Sequence, residues 1–264
     1  MDTSLVTQKF EEVGARVKFG EIRPTRESEG EKIRIDIRTD RLGEYYLIDA
    51  KDEVFVDIPD VQKVDRHLLL FARDPELRRF LCGHDERNWF IAAIPEDSRA
   101  SNVKEAKESL KPRDVKFSEK RAGVKKKDSE KRRTKAFVRQ GEWFFIPVPE
   151  FQVQKSLILK NEPIQRSRGT PHMVEEVFRR GGENLYISRE YPNGLSENRY
   201  QDLIKSNPEL KKTHWEVRRV NPTVFGRGRV THKDHKTIVL QFWHEIIMNT
   251  EFRARAMRNV AFID

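Results

Sequence analysis

A strict alternation of apolar and polar residues, EKIRIDIRTD at positions 31–40, most strongly limits the folds open to this chain. Ile33, Ile35 and Ile37 would share one face of an extended strand, because successive side chains of a strand point to opposite faces. Further runs with apolar character, GEYYLID, EVFVDIP and RHLLLFAR, follow at short spacing. The pattern predicts an N-terminal half made mostly of antiparallel strands, arranged as a barrel or a strongly bent sheet.

Helix signals stand on either side of these strands. SLVTQKFEEVG at positions 4–14 predicts a first helix, and NVKEAKESL predicts a second, capped by Ser101 and ended by Pro112. The two apolar runs in RRFLCGHDERNWFIAAIP are separated by a polar stretch and predict a hairpin. Cys82 in this hairpin is the only cysteine, which excludes an intrachain disulfide and a four-cysteine zinc site. We interpret Cys82 as a buried strand residue rather than as a nucleophile paired with His84, because catalytic Cys–His pairs are usually remote in sequence.

The net charge of +9 is unevenly distributed along the chain. Residues 1–112 hold 20 basic and 24 acidic residues, residues 113–135 hold 11 and 4, and residues 136–264 hold 21 and 15. The middle segment has few large apolar residues and no apolar periodicity, which is typical of a flexible linker. We therefore predict an α+β fold with two domains rich in antiparallel strands and a few short helices, 1–112 (acidic) and 136–264 (basic), joined by a basic linker at 113–135.

In the second half, TPHMVEEVFRRGG at 170–182 has the signals of a helix, with Thr170 as its cap, proline at the first position and glycines at its end. A further helix, ENRYQDLIK, is predicted after Ser196. HWEVRRV, TVFGRGRVT and KTIVLQFW predict three strands, and the last residues, 251–264, predict a short helix with a docked tail.

The stretch RVTHKDHKT, between two apolar runs, contains a first candidate site. Imidazole and carboxylate groups suit zinc and other divalent metals, so His232, Asp234 and His235 are candidate ligands of a catalytic metal, with His244 nearby in sequence. The alternative is a polar hairpin turn, because aspartate is common in turns and His-x-Asp-His is not a recognised zinc spacing. Both interpretations stay open at this point.

A second candidate site is basic. Strand alternation would put Arg227 and Arg229 on one face, where two guanidinium groups suit phosphate. Arginine also clusters in IQRSRG, FRRGG and WEVRRV, and the lysine-rich segment would neutralise phosphates without reading sequence. The alternatives are an ion-paired surface and a solubilising hinge. The predicted nucleic-acid contacts are Arg218, Arg219, Arg227, Arg229, Lys125, Lys126, Lys127, Arg132 and Arg133.

These observations favour an intracellular, cytoplasmic protein that binds RNA or DNA mainly through phosphate contacts of its second half, with the acidic first half available to a protein partner. The alternatives are a metal-dependent hydrolase or nuclease that uses the His-x-Asp-His cluster, and a non-catalytic interaction scaffold. The sequence does not decide whether the protein is an enzyme. It contains no P-loop, dinucleotide fingerprint or Gly-x-Ser-x-Gly elbow, and no apolar run long enough for a membrane span. No cofactor is required, although the histidines would accommodate a divalent metal.

Overall fold

A computed structural model describes residues 2–22, 32–165 and 170–253. Its N-terminal half contains a first helix, α1, at Thr3–Glu12, capped by the carboxylate of Asp2. Seven strands follow: β1 Val17–Gly20, β2 Ile33–Asp40, β3 Gly43–Ala50, β4 Phe55–Gln62, β5 His67–Asp74, β6 Glu76–Asp85 and β7 Asn88–Ile94. They form a three-stranded sheet of order β1-β3-β2 and a four-stranded sheet of order β4-β5-β6-β7. All neighbours are antiparallel except β1 and β3.

The two sheets share one apolar core, which the alternation of the strands creates. Ile33, Ile35 and Ile37 are buried as predicted, and they pack in one cluster with residues of the second sheet such as Phe80. In the described strands the hydrogen-bonded ladder breaks between β3 and β4, so the half has two sheets instead of the single barrel or bent sheet that was predicted. The predicted hairpin is confirmed as β6 and β7. Cys82 is 1% exposed and burial raises the pKa of its thiol, in agreement with a role in the core.

The next helix, α2 at Val103–Ser109, packs on the other face of the second sheet. Its cap is Asn102, whose side chain accepts from the N–H of Glu105, one residue later than the predicted Ser101. The helix also receives two bonds from the far end of the chain. The N–H of Thr250 donates to the carbonyl of Leu110 (3.0 Å), and the hydroxyl of Thr250 donates to the carbonyl of Ser109 (2.8 Å).

The segment predicted as a linker contains a helix, α3, at Arg113–Arg121. Val115 on this helix is fully buried and packs in one cluster with Phe137 and Phe144 of the second half. The ammonium group of Lys111 forms an ion pair with Glu119 at 2.9 Å, and both residues are buried. Residues 113–121, predicted as part of the linker, are therefore ordered. Val115 attaches this mostly charged helix to the second half, and Glu119 attaches it to Lys111. The division into two domains stays a prediction.

The C-terminal half has nine strands and one α-helix in its described part. The strands are β8 Val138–Gln140, β9 Trp143–Pro147, β10 Leu159–Ile164, β11 His172–Arg180, β12 Glu183–Ile187, β13 Leu195–Ser196, β14 Glu216–Val220, β15 Thr223–Thr231 and β16 Ile238–Met248. Six of them form a sheet of order β10-β11-β15-β16-β9-β8, and three form a small sheet of order β13-β12-β14. The helix, α4 at Glu197–Ser206, begins after Ser196 as predicted. Of the predicted C-terminal helix and tail, residues 254–264 lie outside the described part.

The prediction of a helix at 170–182 is wrong, because His172–Arg180 form the strand β11. The ladder between β11 and β15 has a register shift between Val174 and Glu176. Val174 and Val177 consequently lie in the same buried cluster although they are three residues apart. A bulge in a strand thus reproduces the three-residue apolar spacing that is typical of a helix. No helix in the described ranges is long and apolar enough to cross a membrane.

Candidate metal centre

Three histidines from separate parts of the second half meet at one end of its large sheet. His172 begins β11, and His232 and His235 lie in the turn between β15 and β16. Each histidine offers one ring nitrogen, and these three nitrogens lie within 4.8 Å of one another, so the group could hold a metal ion. The structure therefore brings together two of the three predicted ligands. Asp234 is not in the group, and its carboxylate lies 3.7 Å from the ammonium of Lys233.

The three imidazole rings stack face to face. The ring centroids of His172 and His232 are 4.2 Å apart, those of His232 and His235 are 4.7 Å apart, and those of His172 and His235 are 5.4 Å apart. The interplanar angles are 18°, 27° and 17°. His244 is not part of this stack, because its Nδ1 lies 2.8 Å from the carbonyl oxygen of Phe242 and its ring stacks on Phe242.

Buried polar atoms without a protein partner are concentrated here. In the described part of the chain seven buried side-chain nitrogen or oxygen atoms have no hydrogen bond, and six belong to the three histidines and two neighbours, Gln140 and Trp143. The ring of Trp143 lies 6.5 Å from that of His172, and the amide of Gln140 donates to the carbonyl of Lys236. A buried polar group without a partner costs about 1–3 kcal/mol. Six such atoms in one place indicate a site organised for a bound group.

Gly141, in the hairpin between β8 and β9, leaves room for the ring nitrogens. A β-carbon built on this glycine would lie 2.8 Å from Nε2 of His235 and 3.3 Å from Nε2 of His172. The backbone φ of Gly141 is +56°, a conformation that favours glycine. The two Nε2 atoms therefore face the same small space, which any side chain at this position would occupy.

Burial keeps two of the three rings neutral. Burial, followed by the neighbouring His232 and His235, lowers the pKa of His172 to about 3, and burial, followed by His232, lowers the pKa of His235 to about 4. Near pH 7 each of these rings thus has one nitrogen lone pair available to a metal. Nδ1 of His232 accepts a bond from the N–H of Asp234 (3.2 Å), which in a neutral ring leaves the proton on Nε2. Metal binding through Nε2 would move that proton and release this bond, at about 1 kcal/mol.

The first half of the chain contacts the turn that holds two of the histidines. The contact is made by the hairpin tip, which we define as Asp85, the last residue of β6, together with Glu86 and Arg87, which connect β6 to β7. The N–H of Lys236 donates to Oε2 of Glu86 (2.5 Å), and Arg87 donates to the carbonyl of Lys233 (3.3 Å). These are two of the polar stretches that the sequence singles out, CGHDER and HKDHK, and the fold brings them together.

The predicted arginine cluster is divided between two sheets. Arg218 and Arg219 lie on β14 in the small sheet, whereas Arg227 and Arg229 lie on β15 in the large one. A register shift between Gly226 and Gly228 interrupts the alternation on which the shared face of Arg227 and Arg229 was predicted. Arg166 and Arg168 lie outside the described residues.

Several of these guanidinium groups already have carboxylate partners. Arg218 forms two hydrogen bonds with Glu216, and Nε of Arg227 donates to Glu176 at 2.6 Å. Arg132 forms ion pairs with Asp85 and Glu86 of the hairpin tip. In contrast, the other six predicted nucleic-acid contacts have exposed side chains that form no ion pair with a described residue: Lys125, Lys126, Lys127, Arg133, Arg219 and Arg229.

Comparisons of the chain with protein-family models, with curated proteins and with solved structures found no match.

Proposed function

We propose that this protein is a metal-dependent hydrolase in which His172, His232 and His235 hold one divalent metal ion. The observation that carries the proposal is the convergence of three histidines, each of which has at least one buried ring nitrogen without a hydrogen-bond partner. Neutral imidazoles suit zinc, copper, nickel and iron, and three nitrogen ligands with one remaining position are typical of catalytic zinc. Zinc is the metal that we expect.

Zinc coordination requires the ligand atoms to move closer together and the stacked rings to rotate, because the lone pairs of an imidazole lie in the plane of its ring. Zinc–nitrogen bonds of about 2.0–2.1 Å place tetrahedral ligand atoms roughly 3.4 Å apart. The ligand atoms here lie within 4.8 Å of one another, so the turn between β15 and β16 would close by up to about 1.4 Å. Zinc with three protein ligands can bind a water in its fourth position and lower the pKa of that water to about 7, which supplies a hydroxide for hydrolysis.

The first experiment is a metal titration of the purified chain after chelator treatment. We expect one zinc per chain and, with cobalt, the visible absorption of a tetrahedral site. His235→Ala should lose both, whereas His214→Ala should retain both, because His214 is exposed and lies outside the cluster. Equal metal binding by the two variants would remove the proposal.

The second experiment tests hydrolysis. The zinc-loaded protein is assayed with bis-p-nitrophenyl phosphate and with p-nitrophenyl acetate, beside the metal-free protein and His235→Ala. Turnover that requires the metal and His235 supports the hydrolase. Stoichiometric zinc without turnover of either ester would leave a metal site and exclude hydrolysis of these two ester classes.

We propose nucleic-acid binding as a second function, because the segment that carries Arg132 also carries the exposed lysines at 125–127 and the exposed Arg133. Such a basic segment would bind phosphates without base recognition. Filter binding with single- and double-stranded nucleic acid should show an affinity that falls with salt. An affinity that salt does not change, or no affinity, contradicts this second proposal.

A further inference from the structure

The candidate metal centre belongs to the second half of the chain, yet a carboxylate of the first half lies against it. Oε2 of Glu86 is 3.8 Å from Nδ1 of His235. That Nδ1 is buried and has no hydrogen bond. The other ring nitrogen of His235, Nε2, faces the space beside Gly141 and His172. The ring of His235 therefore lies between a carboxylate on one side and the proposed metal position on the other.

We propose, on the basis of the proposed metal site, that Glu86 is a positioning residue for its ligand His235 and that metal binding is thereby coupled to docking of the hairpin tip. When Nε2 of His235 binds a metal, the ring proton must be on Nδ1. This N–H then points to Glu86, which accepts it after a closure of about 1 Å. A carboxylate that accepts from a metal-bound imidazole fixes the orientation of the ring and increases its basicity.

Glu86 is held in place by bonds on both of its carboxylate oxygens. Oε2 accepts from the N–H of Lys236, and Oε1 forms an ion pair with Arg132. Arg132 also pairs with Asp85. The carboxylate thus remains close to His235 without a metal, so little further ordering is needed when the metal binds.

The backbone at Glu86 supports a specific role for this side chain. Its φ is +47°, a left-handed conformation that glycine or asparagine adopts more easily than glutamate. A non-glycine residue in this region is strained by about 1–3 kcal/mol, and such strain is concentrated at functional positions. A turn with no further function would be more stable with glycine here.

The coupling has a consequence for the two halves of the chain. Metal binding in the turn between β15 and β16 orders His235, and the bond from His235 to Glu86 joins this turn to β6 and β7. The metal should therefore slow local opening of the hairpin tip, although none of its ligands lies in the first half.

The test measures zinc affinity by competition with a chelator for the full chain and four variants. Removal of a partner of a metal ligand typically weakens metal binding by about 10- to 100-fold, which we expect for Glu86→Ala. Glu86→Gln keeps an acceptor for Nδ1–H and should restore part of the affinity. Glu76 is an exposed glutamate at the other end of β6, and the control variant Glu76→Gln should bind zinc as the unmodified chain does. Arg87→Ala, which removes one docking bond and keeps the contact of Glu86 with His235, should weaken zinc binding less than Glu86→Ala does.

Hydrogen exchange of the segment 79–94, with and without zinc, provides the second readout. We expect zinc to slow exchange at the hairpin tip in the unmodified chain and not in Glu86→Ala. If the unmodified chain binds no zinc, both proposals fail. If the unmodified chain and Glu86→Ala bind zinc equally well, the metal site stands and the role of Glu86 is overturned. Zinc binding that leaves exchange at the tip unchanged overturns the coupling.

Discussion

The ring of His172, at the start of β11, stacks on the ring of His232, which directly follows β15, with 4.2 Å between their centroids. The two strands are antiparallel, so the start of β11 lies beside the end of β15. Met173 pairs with Thr231 in the ladder between β11 and β15, so the neighbouring histidines extend beyond the last paired residues at the same edge. A ladder of backbone bonds, and not the local turn, thus determines which residue completes the candidate metal centre.

His172 should be indispensable for metal binding, whereas Asp234 should not. We expect His172→Phe to abolish zinc binding and Asp234→Asn to leave it nearly unchanged. In the metal-free state His172→Phe should also raise the melting temperature by about 2–4 °C, because it removes a buried imidazole without partners worth about 1 kcal/mol. Zinc titration and calorimetry measure the two effects. Loss of zinc binding in Asp234→Asn but not in His172→Phe would favour the ligand set that the sequence predicts.

Gly141→Ala should weaken zinc binding more than its backbone strain alone explains. The new methyl group would lie 2.8 Å from Nε2 of His235, and the left-handed φ adds strain of about 1–3 kcal/mol. Gly123→Ala is the matched control, since Gly123 has a φ of +63° and no neighbour within 4 Å. Denaturant unfolding should show destabilisation in both variants, with a loss of zinc affinity in Gly141→Ala only. Equal zinc affinities would show that this glycine does not border the metal position.

Acid should destabilise the protein partly through His67. Burial, followed by the charge of Lys107, lowers the pKa of His67 to about 4, below an unfolded value of about 6.5. The unfolded state therefore binds more protons between pH 4 and pH 6.5, so the free energy of unfolding rises with pH across this window and is reduced below it. The difference is at most about 3 kcal/mol for this residue. Denaturant unfolding of His67→Phe across the window should show a smaller pH slope than the unmodified chain, and an unchanged slope would contradict the assignment.

The ion pair between Lys111 and Glu119 tests whether the segment after α2 is ordered. Glu119→Ala should lower the free energy of unfolding by about 1–3 kcal/mol, because Lys111 would lose a buried partner. Glu108→Ala removes a more exposed partner of the same lysine, at 2.9 Å, and should cost less than about 1 kcal/mol. A flexible linker would give no difference between the two variants in urea unfolding.

The lysines at 125–127 should carry the salt dependence of any nucleic-acid binding. Replacing all three by glutamine should make the negative slope of log affinity against log salt shallower by about 2–3 for duplex DNA, since each phosphate contact contributes about −0.9 to this slope. Arg218→Gln should leave the slope unchanged, because Arg218 is already paired with Glu216. Filter binding at several salt concentrations gives both slopes. A reduction by Arg218→Gln instead would move the contact surface to the small sheet.

The sequence indicates much of the strand content, because alternation is a local signal, and it also indicates two of the three histidines. It does not indicate His172, because the segment has helix-like signals at both ends and valines three residues apart. Those valines share a face only because of the bulge near Glu175, which arises from pairing with β15. The contact of Glu86 with His235 also depends on packing between distant hairpins, which single-sequence periodicity does not contain. The sequence shows two separate polar turns, but it does not indicate that these turns contact each other.

The two hydrogen bonds that Thr250 makes to the end of α2 have a practical consequence for shortened versions of this protein. The carbonyl groups of Ser109 and Leu110 lie at a helix terminus, where the helix itself offers no donor. Deleting the chain from Asn249 onward would leave both without these donors, so a cut near one end would disturb a helix that precedes it by more than a hundred positions. Expression boundaries chosen by sequence proximity alone would overlook this dependence.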